Sequence, residues 1–298
     1  MAHPLEADFR EWSKPPTATE DQRCGNAVSV VRNAIRGYPE VATRNIEIFA
    51  QGSYRNGTNV KRDSDVDVCV RCTDVCFAEP PSGYTASSLG LIDATYTYAE
   101  FKNDVERALK AYLGADLVSR GKKAFHLHAN TYRVDADVVP TFEHRRYTAE
   151  GAVPRYVSGT ELRPDDGTKI VNWPHQNREN GTVKNGATNT RFKKLVRVVK
   201  RLRYEMLGAN IAVAVPIPSY LIECLVWNVP NTAFAADDYA DNLRAILAHL
   251  YESTRGDETC SEWGEVNELK YLFRPSQQWT RAAVNDFVLA AWQRAGFK

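Results

Sequence analysis

Asp65 and Asp67 stand two residues apart in the stretch Asp65-Val66-Asp67-Val68-Cys69-Val70. Alternation with valine predicts a strand over residues 66–70, with both carboxylates and Cys69 on one side and Val66, Val68 and Val70 on the other. Carboxylates held that close repel, and each raises the other's pKa unless a cation lies between them. Hard divalent ions such as Mg²⁺ take carboxylate oxygens and bring phosphates with them. A third carboxylate would complete a two-ion site, one ion activating an attacking oxygen and the other offsetting the charge of a triphosphate. The candidates for it are Asp135 and Asp137, which share a strand face in Val134-Asp135-Ala136-Asp137-Val138-Val139-Pro140. Valines surround Asp137, where a carboxylate is costly to bury without a metal or a donor.

Upstream, Gln51-Gly52-Ser53 follows the apolar run of residues 46–50. Glycine lets a backbone approach a phosphate closely, and a serine hydroxyl with neighbouring N–H groups can hold one. Alone, an Asp-x-Asp or a Gly-Ser pair is commonplace. Together, an apolar strand, Gly-Ser, an eleven-residue spacer, Asp-x-Asp among valines and a later strand aspartate describe a nucleotide-handling site.

The elements that must position these groups follow from periodicity. Helical spacing predicts a helix over residues 20–36, capped by Thr19, with Val28, Val31 and Ile35 among its apolar contacts. Residues 46–50 read as a buried strand, 51–58 as a turn-rich link, 77–96 as loop and 99–113 as a helix. Strands are expected near 123–128 and 132–139. Residues 150–190 hold Asn180-Gly181 and Asn185-Gly186, pairs that favour tight turns, and predict a hairpin and a long crossover. Beyond them, helices are expected over 191–207, 218–228, 238–254 and 279–295. The fold class is therefore α+β: a sheet lobe over residues 1–190, a helical lobe over 191–298, helix 20–36 spanning both, and the site in a cleft between them.

Composition bounds the partners. The chain has 298 residues, 43% hydrophobic and 25% charged, enough for a sizeable core. Lys and Arg total 38 against 37 Asp and Glu, which argues against a surface that is all nucleic-acid glove. No apolar run approaches the ~20 residues of a membrane span. The polar, acidic first residues do not resemble a signal peptide, so a cytoplasmic location and six reduced cysteines are expected. Cys69, Cys72 and Cys76 have ligand-like spacing but lack a fourth partner for structural zinc. His126 and His128 alternate on one strand face and read as a packed or surface pair. Trp173, Trp227, Trp263, Trp279 and Trp292 read as packing residues, and Arg145-Arg146 as a surface pair.

Gly52-Ser53 and Asp65-Val66-Asp67 resemble the Gly-Ser…Asp-x-Asp signature of the DNA polymerase β-like nucleotidyltransferases. More closely, residues 20–230 resemble the bacterial CD-NTases, the cyclic GMP–AMP synthase-like and DncV-like enzymes, of CdnE type. Asp137-Val138-Val139-Pro140 resembles that group's third-aspartate motif, which selects Asp137 over Asp135. Residues 170–181 resemble the crossover of bacterial members. No tandem cysteine–histidine insertion like that of the vertebrate DNA sensor is visible.

The resemblance implies a polymerase β-like sheet lobe and two Mg²⁺ ions, with Mn²⁺ as the alternative, on Asp65, Asp67 and Asp137. Gln51, Gly52 and Ser53 would handle nucleotide. The segment Arg191–Met206 carries seven basic residues and one acidic one, with Phe192, Leu195, Val196, Val199, Leu202 and Met206 as an apolar stripe and Lys193, Arg197 and Lys200 on another face. By resemblance, Arg197 and Lys200 would clamp the triphosphate, Ser219 would bind phosphate and Tyr220 would stack on a base. The implied product is a cyclic di- or trinucleotide, a second messenger for bacterial anti-phage (CBASS) defence. It would be made from nucleoside triphosphates and read by a separate effector that does not bind the enzyme. A regulatory partner protein is admitted, and neither nucleic acid nor membrane is expected. The rivals are RNA 3′-end nucleotidyl transfer of the CCA-adding or poly(A) type, disfavoured by near-neutral charge, and a non-catalytic nucleotide-binding module, disfavoured by the intact carboxylate set.

Overall fold

The computed structural model describes residues 3–61, 65–149 and 154–298. Its elements divide the chain into a sheet unit, Thr17–Tyr54 with Asp65–His175, and a helical unit, Met1–Pro16 with Arg55–Ser64 and Gln176–Lys298. The predicted boundary at residue 190 thus lies inside the helical unit. The helix expected to span both lobes falls wholly within the sheet unit, and Met1–Pro16 belongs to the helical unit.

In the sheet unit, β1 (Ile46–Gln51), β2 (Val66–Glu79), β3 (Val118–Arg120), β4 (Phe125–Leu127), β5 (Ala136–Thr148), β6 (Arg155–Leu162) and β7 (Ile170–Asn172) form one mixed sheet. The path runs β1-β2-β5-β4-β3, with β6 on the far half of β5 and β7 on β6. Strands β2 and β5 are parallel and the other pairs antiparallel. Val66, Val68, Val70, Ala136 and Val138 are fully buried in a core shared with α2 (Ala18–Arg36) and α5 (Tyr98–Leu113). The alternating valines therefore do what period-two patterning demands: one face packs on helices and the carboxylates are turned to the other.

Several elements differ from expectation. The cap of α2 is Thr17, not Thr19, because Thr17 and Glu20 form a reciprocal capping box. The link after β1 holds a short helix, α4 (Gly52–Asn56). Both Asn-Gly pairs lie inside a helix, α6 (Pro174–Ala187). Tertiary bonds outweigh turn propensity there: Asn180 Nδ2 donates to the Val266 carbonyl at 2.8 Å, and Asn185 Oδ1 accepts from the Lys193 N–H at 3.1 Å. The sheet unit is completed by α3 (Pro39–Ala42).

The helical unit contains α1 (Glu6–Trp12), most of α6, α7 (Arg191–Gly208), α8 (Ser219–Trp227), α9 (Tyr239–Thr254), α10 (Asp257–Cys260) and α11 (Arg281–Arg294). The predicted apolar stripe of α7 is buried from Phe192 to Met206, at 1% exposure or less, and packs with Leu221, Leu225, Leu243 and Phe287. Trp227, Trp263, Trp279 and Trp292 lie partly buried against this core. Among the described residues no helix is long and apolar enough to cross a membrane.

Candidate active site

The register of four strands builds the site. Asp67 on β2 is paired with Asp137 on β5, with Gln51 on β1 at its other side, and Asp137 is paired in turn with His126 on β4. Directly paired residues share a face, so Gln51, Asp67, Asp137 and His126 form one row across the sheet. Asp65 is exposed just before β2, and the Val66 N–H donates to the Asp135 carbonyl at 3.1 Å.

The electrostatics are those of a cation site. Burial pushes the Asp67 carboxyl up to about 6, and the charges of Asp137 and then Asp65 add to the rise. A buried carboxylate on a valine-backed strand, with two further carboxylates raising it, fits the donor set of a hard divalent ion. The described residues whose ligating atoms all lie within 4.8 Å of one another are instead His126, His128 and Asp135.

Gly52 is the point of closest approach. Its φ is +64°, and a Cβ there would stand 2.3 Å from Asp67 Oδ2. Only glycine fits both the left-handed backbone and that contact. Ser53 follows in the first turn of α4, partly exposed. The sheet unit therefore brings Gln51, Gly52, Asp67 and Asp137 together, with Ser53 next to Gly52.

The basic face of α7 departs from expectation. Arg197 and Lys200, expected as triphosphate ligands, are 6% and 2% exposed and turn to protein partners. Arg197 Nε donates to the Ser13 carbonyl at 2.8 Å and Nη1 to the Gly57 carbonyl at 2.6 Å. Lys200 Nζ donates to the carbonyl and hydroxyl of Thr58, both at 3.2 Å, and lies 3.6 Å from Glu223 Oε2. Glu223 accepts from Asn56 Nδ2 at 2.9 Å and from the Thr58 hydroxyl at 2.6 Å. Burial lowers Lys200, and lowers Arg197 to about 10. A buried charge needs partners, and here residues 56–58 and Glu223 supply them. Sequence reasoning missed Glu223, although it is the one acidic residue of the apolar helix Ser219–Trp227.

Ser219 opens α8, and its hydroxyl lies 3.3 Å from that of Tyr204. The Tyr220 hydroxyl donates to Glu265 Oε2 at 2.8 Å and accepts from Asn177 and Asn267, each at 3.3 Å. Its ring packs on Trp279 with centroids 6.5 Å apart. Arg145 and Arg146 are paired within the sheet unit, with Glu143 and Glu79 respectively. Cys69 and Cys72 are buried and in no disulfide, the first with its sulfur 3.3 Å from the Thr141 hydroxyl.

Known proteins share this architecture over the whole chain. The chain is 44% identical to a cyclic dipyrimidine nucleotide synthase CdnE of Legionella pneumophila, over 98% of both chains. It belongs to the CdnE-type CD-NTases. Residues 179–296 match the family model of the cGAS/DncV-like nucleotidyltransferase C-terminal helical domain. A second cyclic dipyrimidine nucleotide synthase CdnE, of Cecembia lonarensis, is 39% identical over the full length of both chains. The solved CdnE cyclic dinucleotide synthase of Elizabethkingia meningoseptica, with GTP and Apcpp, is 32% identical and aligns at a TM-score of 0.82 over 98% of this chain and 99% of that one. As a CD-NTase of this type the protein is a nucleotidyltransferase, a cyclic dinucleotide synthase with the polymerase β-like α+β fold. The comparisons do not favour the RNA 3′-end transferase reading.

Proposed function

We propose that this CD-NTase joins two pyrimidine nucleoside triphosphates, using Mg²⁺ on Asp65, Asp67 and Asp137, to give a cyclic dipyrimidine nucleotide. The observation that carries the reading is the Gln51–Asp67–Asp137 row with Gly52 seated against Asp67. The pyrimidine preference is supported by the relatives at 44% and 39% identity, both named cyclic dipyrimidine nucleotide synthases. A relative at 32% is named a cyclic dipurine nucleotide synthase.

In this reading Mg²⁺, when bound, supplies Lewis-acid stabilisation of phosphate charge and lowers the pKa of an attacking ribose hydroxyl. Asp65 and Asp67 would hold it, and Asp137 would complete the set and help lower the pKa of the attacking hydroxyl. Gly52 lets the backbone come close enough for Ser53 to reach a phosphate, with Gln51 beside them. The resemblance assigns Ser219 to phosphate and Tyr220 to the base. Arg197 and Lys200 act by holding residues 57–58, which lie between the Gly-Ser turn and the Asp-x-Asp strand. The product would serve as a second messenger in bacterial anti-phage (CBASS) signalling, read by a separate effector.

Incubation with the four labelled nucleoside triphosphates and Mg²⁺, followed by mass spectrometry of the phosphatase-resistant product, tests this. A cyclic dipyrimidine mass, absent with Asp67→Asn, is expected. A purine-containing product would overturn the base assignment, and unchanged yield from Asp67→Asn would overturn the site.

A further inference from the structure

Beside the aspartate row, the β4–β5 pair brings together a second set of metal-binding groups of a different chemical kind. His126 is paired with Asp137 across the two strands, and His128 and Asp135 lie just beyond the paired ends, each two residues from its neighbour in the pair. The ligating atoms of His126, His128 and Asp135 all lie within 4.8 Å of one another. The two imidazoles stand edge to face, with ring centroids 4.9 Å apart. His128 is exposed, while His126 and Asp135 are half-buried, so an ion could enter from solvent.

Each of the three also has a polar partner behind it. His126 Nδ1 lies 3.1 Å from Asp137 Oδ1, which leaves Nε2 turned toward Asp135 Oδ1 at 3.6 Å. The Ser119 hydroxyl lies 3.1 Å from His128 Nε2. The Ala129 N–H donates to Asp135 Oδ1 at 2.6 Å. A carboxylate behind a histidine that offers its other nitrogen is the usual support of a metal-bound imidazole. Two ligands about 2.0–2.1 Å from a tetrahedral ion stand roughly 3.4 Å apart, close to the separation of His126 Nε2 and Asp135 Oδ1.

We propose that His126, His128 and Asp135 form a second divalent-cation site, for an imidazole-preferring ion of the zinc class, with Asp137 as the outer carboxylate behind His126. Two imidazoles and one carboxylate discriminate against Mg²⁺, which prefers oxygen ligands, and favour Zn²⁺ or Co²⁺. Three protein ligands leave a fourth position to water. Asp137 is then shared in function: it orients the zinc-class site, and in the reading proposed above it is also a ligand for nucleotidyl transfer. Occupancy holds the Asp137 oxygen against His126, so Zn²⁺ inhibits synthesis.

The binding test uses Co²⁺ alone on the full chain, without nucleotide, and does not depend on the proposed activity. One equivalent should give the visible absorption of a four-coordinate ion, displaced by Zn²⁺. His128→Ala should abolish it, with the fold checked by circular dichroism, and His128→Gln provides a second, larger replacement. Asp137→Asn should weaken binding by about 10–100-fold. Asp67→Asn and Cys76→Ser should leave it intact. No four-coordinate absorption in the wild type, or absorption that survives both His128 variants, would overturn the site. So would its loss in Asp67→Asn or Cys76→Ser, which would place the ion on the transfer carboxylates or on a thiol. In the synthesis assay with excess Mg²⁺, Zn²⁺ should inhibit the wild type and spare His128→Ala; equal inhibition would overturn the link to Asp137 while leaving the binding result standing.

Discussion

Two charged clusters in this chain are built on opposite principles. In the sheet unit, burial and two further carboxylates act on Asp67, and each disfavours its charge. In the helical unit, Lys200 is as deeply buried as the core around it, yet Thr58 and Glu223 surround its ammonium, and both Glu223 oxygens take further donors. The second cluster is closed: its donors and acceptors meet inside the protein. The first is a concentration of like charge that becomes favourable when a cation joins it. Depth of burial is common to both clusters, and the sign of what surrounds each charge is what separates them.

The largest expected effect breaks the closed cluster. Glu223→Ala leaves the Lys200 ammonium buried without its counter-charge, a change that costs about 3–5 kcal/mol. Denaturant unfolding measures it. A loss below 1 kcal/mol would show that Thr58 alone satisfies Lys200. At the open cluster the same kind of substitution works the other way. Asp67→Asn should cut product formation by about 10²–10³-fold while raising the melting temperature, because it removes a charge that the folded state disfavours. A variant that loses both activity and stability would put Asp67 in the structural class with Glu223.

Gly52→Ala sharpens the contrast at backbone level. A Cβ at 2.3 Å from Asp67 Oδ2 must push the carboxylate aside, and the left-handed φ adds about 1–2 kcal/mol of strain. Displacement of a reacting group by an ångström costs about 10²-fold in rate. Activity should therefore fall by that order, while unfolding shows only the modest strain. The pH dependence of stability gives a smaller signal. Asp67 is raised to about 6 in the folded protein, so the native state holds its proton more tightly than the unfolded chain. The contribution of Asp67 to stability is then fully present below the unfolded pKa and is lost as pH rises through about 6, by roughly 2–3 kcal/mol. Asp67→Asn should flatten that decline, and Mg²⁺ at neutral pH should restore stability to the wild type alone. A wild-type stability that does not fall relative to Asp67→Asn between pH 4 and 6 would contradict the repulsion.

The pattern of carboxylates and valines made the carboxylate face of each strand legible before any coordinates, because period-two alternation fixes which side chains share a face. Strand partners were not legible. That His126 stands opposite Asp137 depends on a register that a single strand does not encode, although hairpin pairing of residues 125–127 with 136–138 would have exposed it. The basic stripe of α7 was seen correctly, but its destination was not. Helical spacing shows that Lys193, Arg197 and Lys200 share a face, and not whether solvent or residues 57–58 cover it. The Asn-Gly pairs of α6 failed for a related reason: Asn180 and Asn185 bond to Val266 and Lys193, tertiary partners that no local propensity anticipates.

Tyr220 stands between the two classes, and the smallest prediction decides how much of each it has. Its hydroxyl is tied to Glu265, Asn177 and Asn267, a closed network like that around Glu223, whereas its ring is the part assigned to a nucleobase. Tyr220→Phe removes the hydroxyl and keeps the ring. Glu265 retains donors from Asn267 and Gln277, both at 2.8–2.9 Å, so the loss should be that of one hydrogen bond, about 1 kcal/mol, in stability. Nucleotide affinity should be nearly unchanged, since a base stacks on either ring. Tyr220→Ala removes the stacking surface and should weaken nucleotide binding by about 1–3 kcal/mol. If titration of nucleoside triphosphate gives both variants the wild-type affinity, the ring serves the helical core and the hydroxyl network is its whole purpose. If Phe already loses the full amount, the hydroxyl itself reads the base, and the network around Glu265 belongs to the binding site.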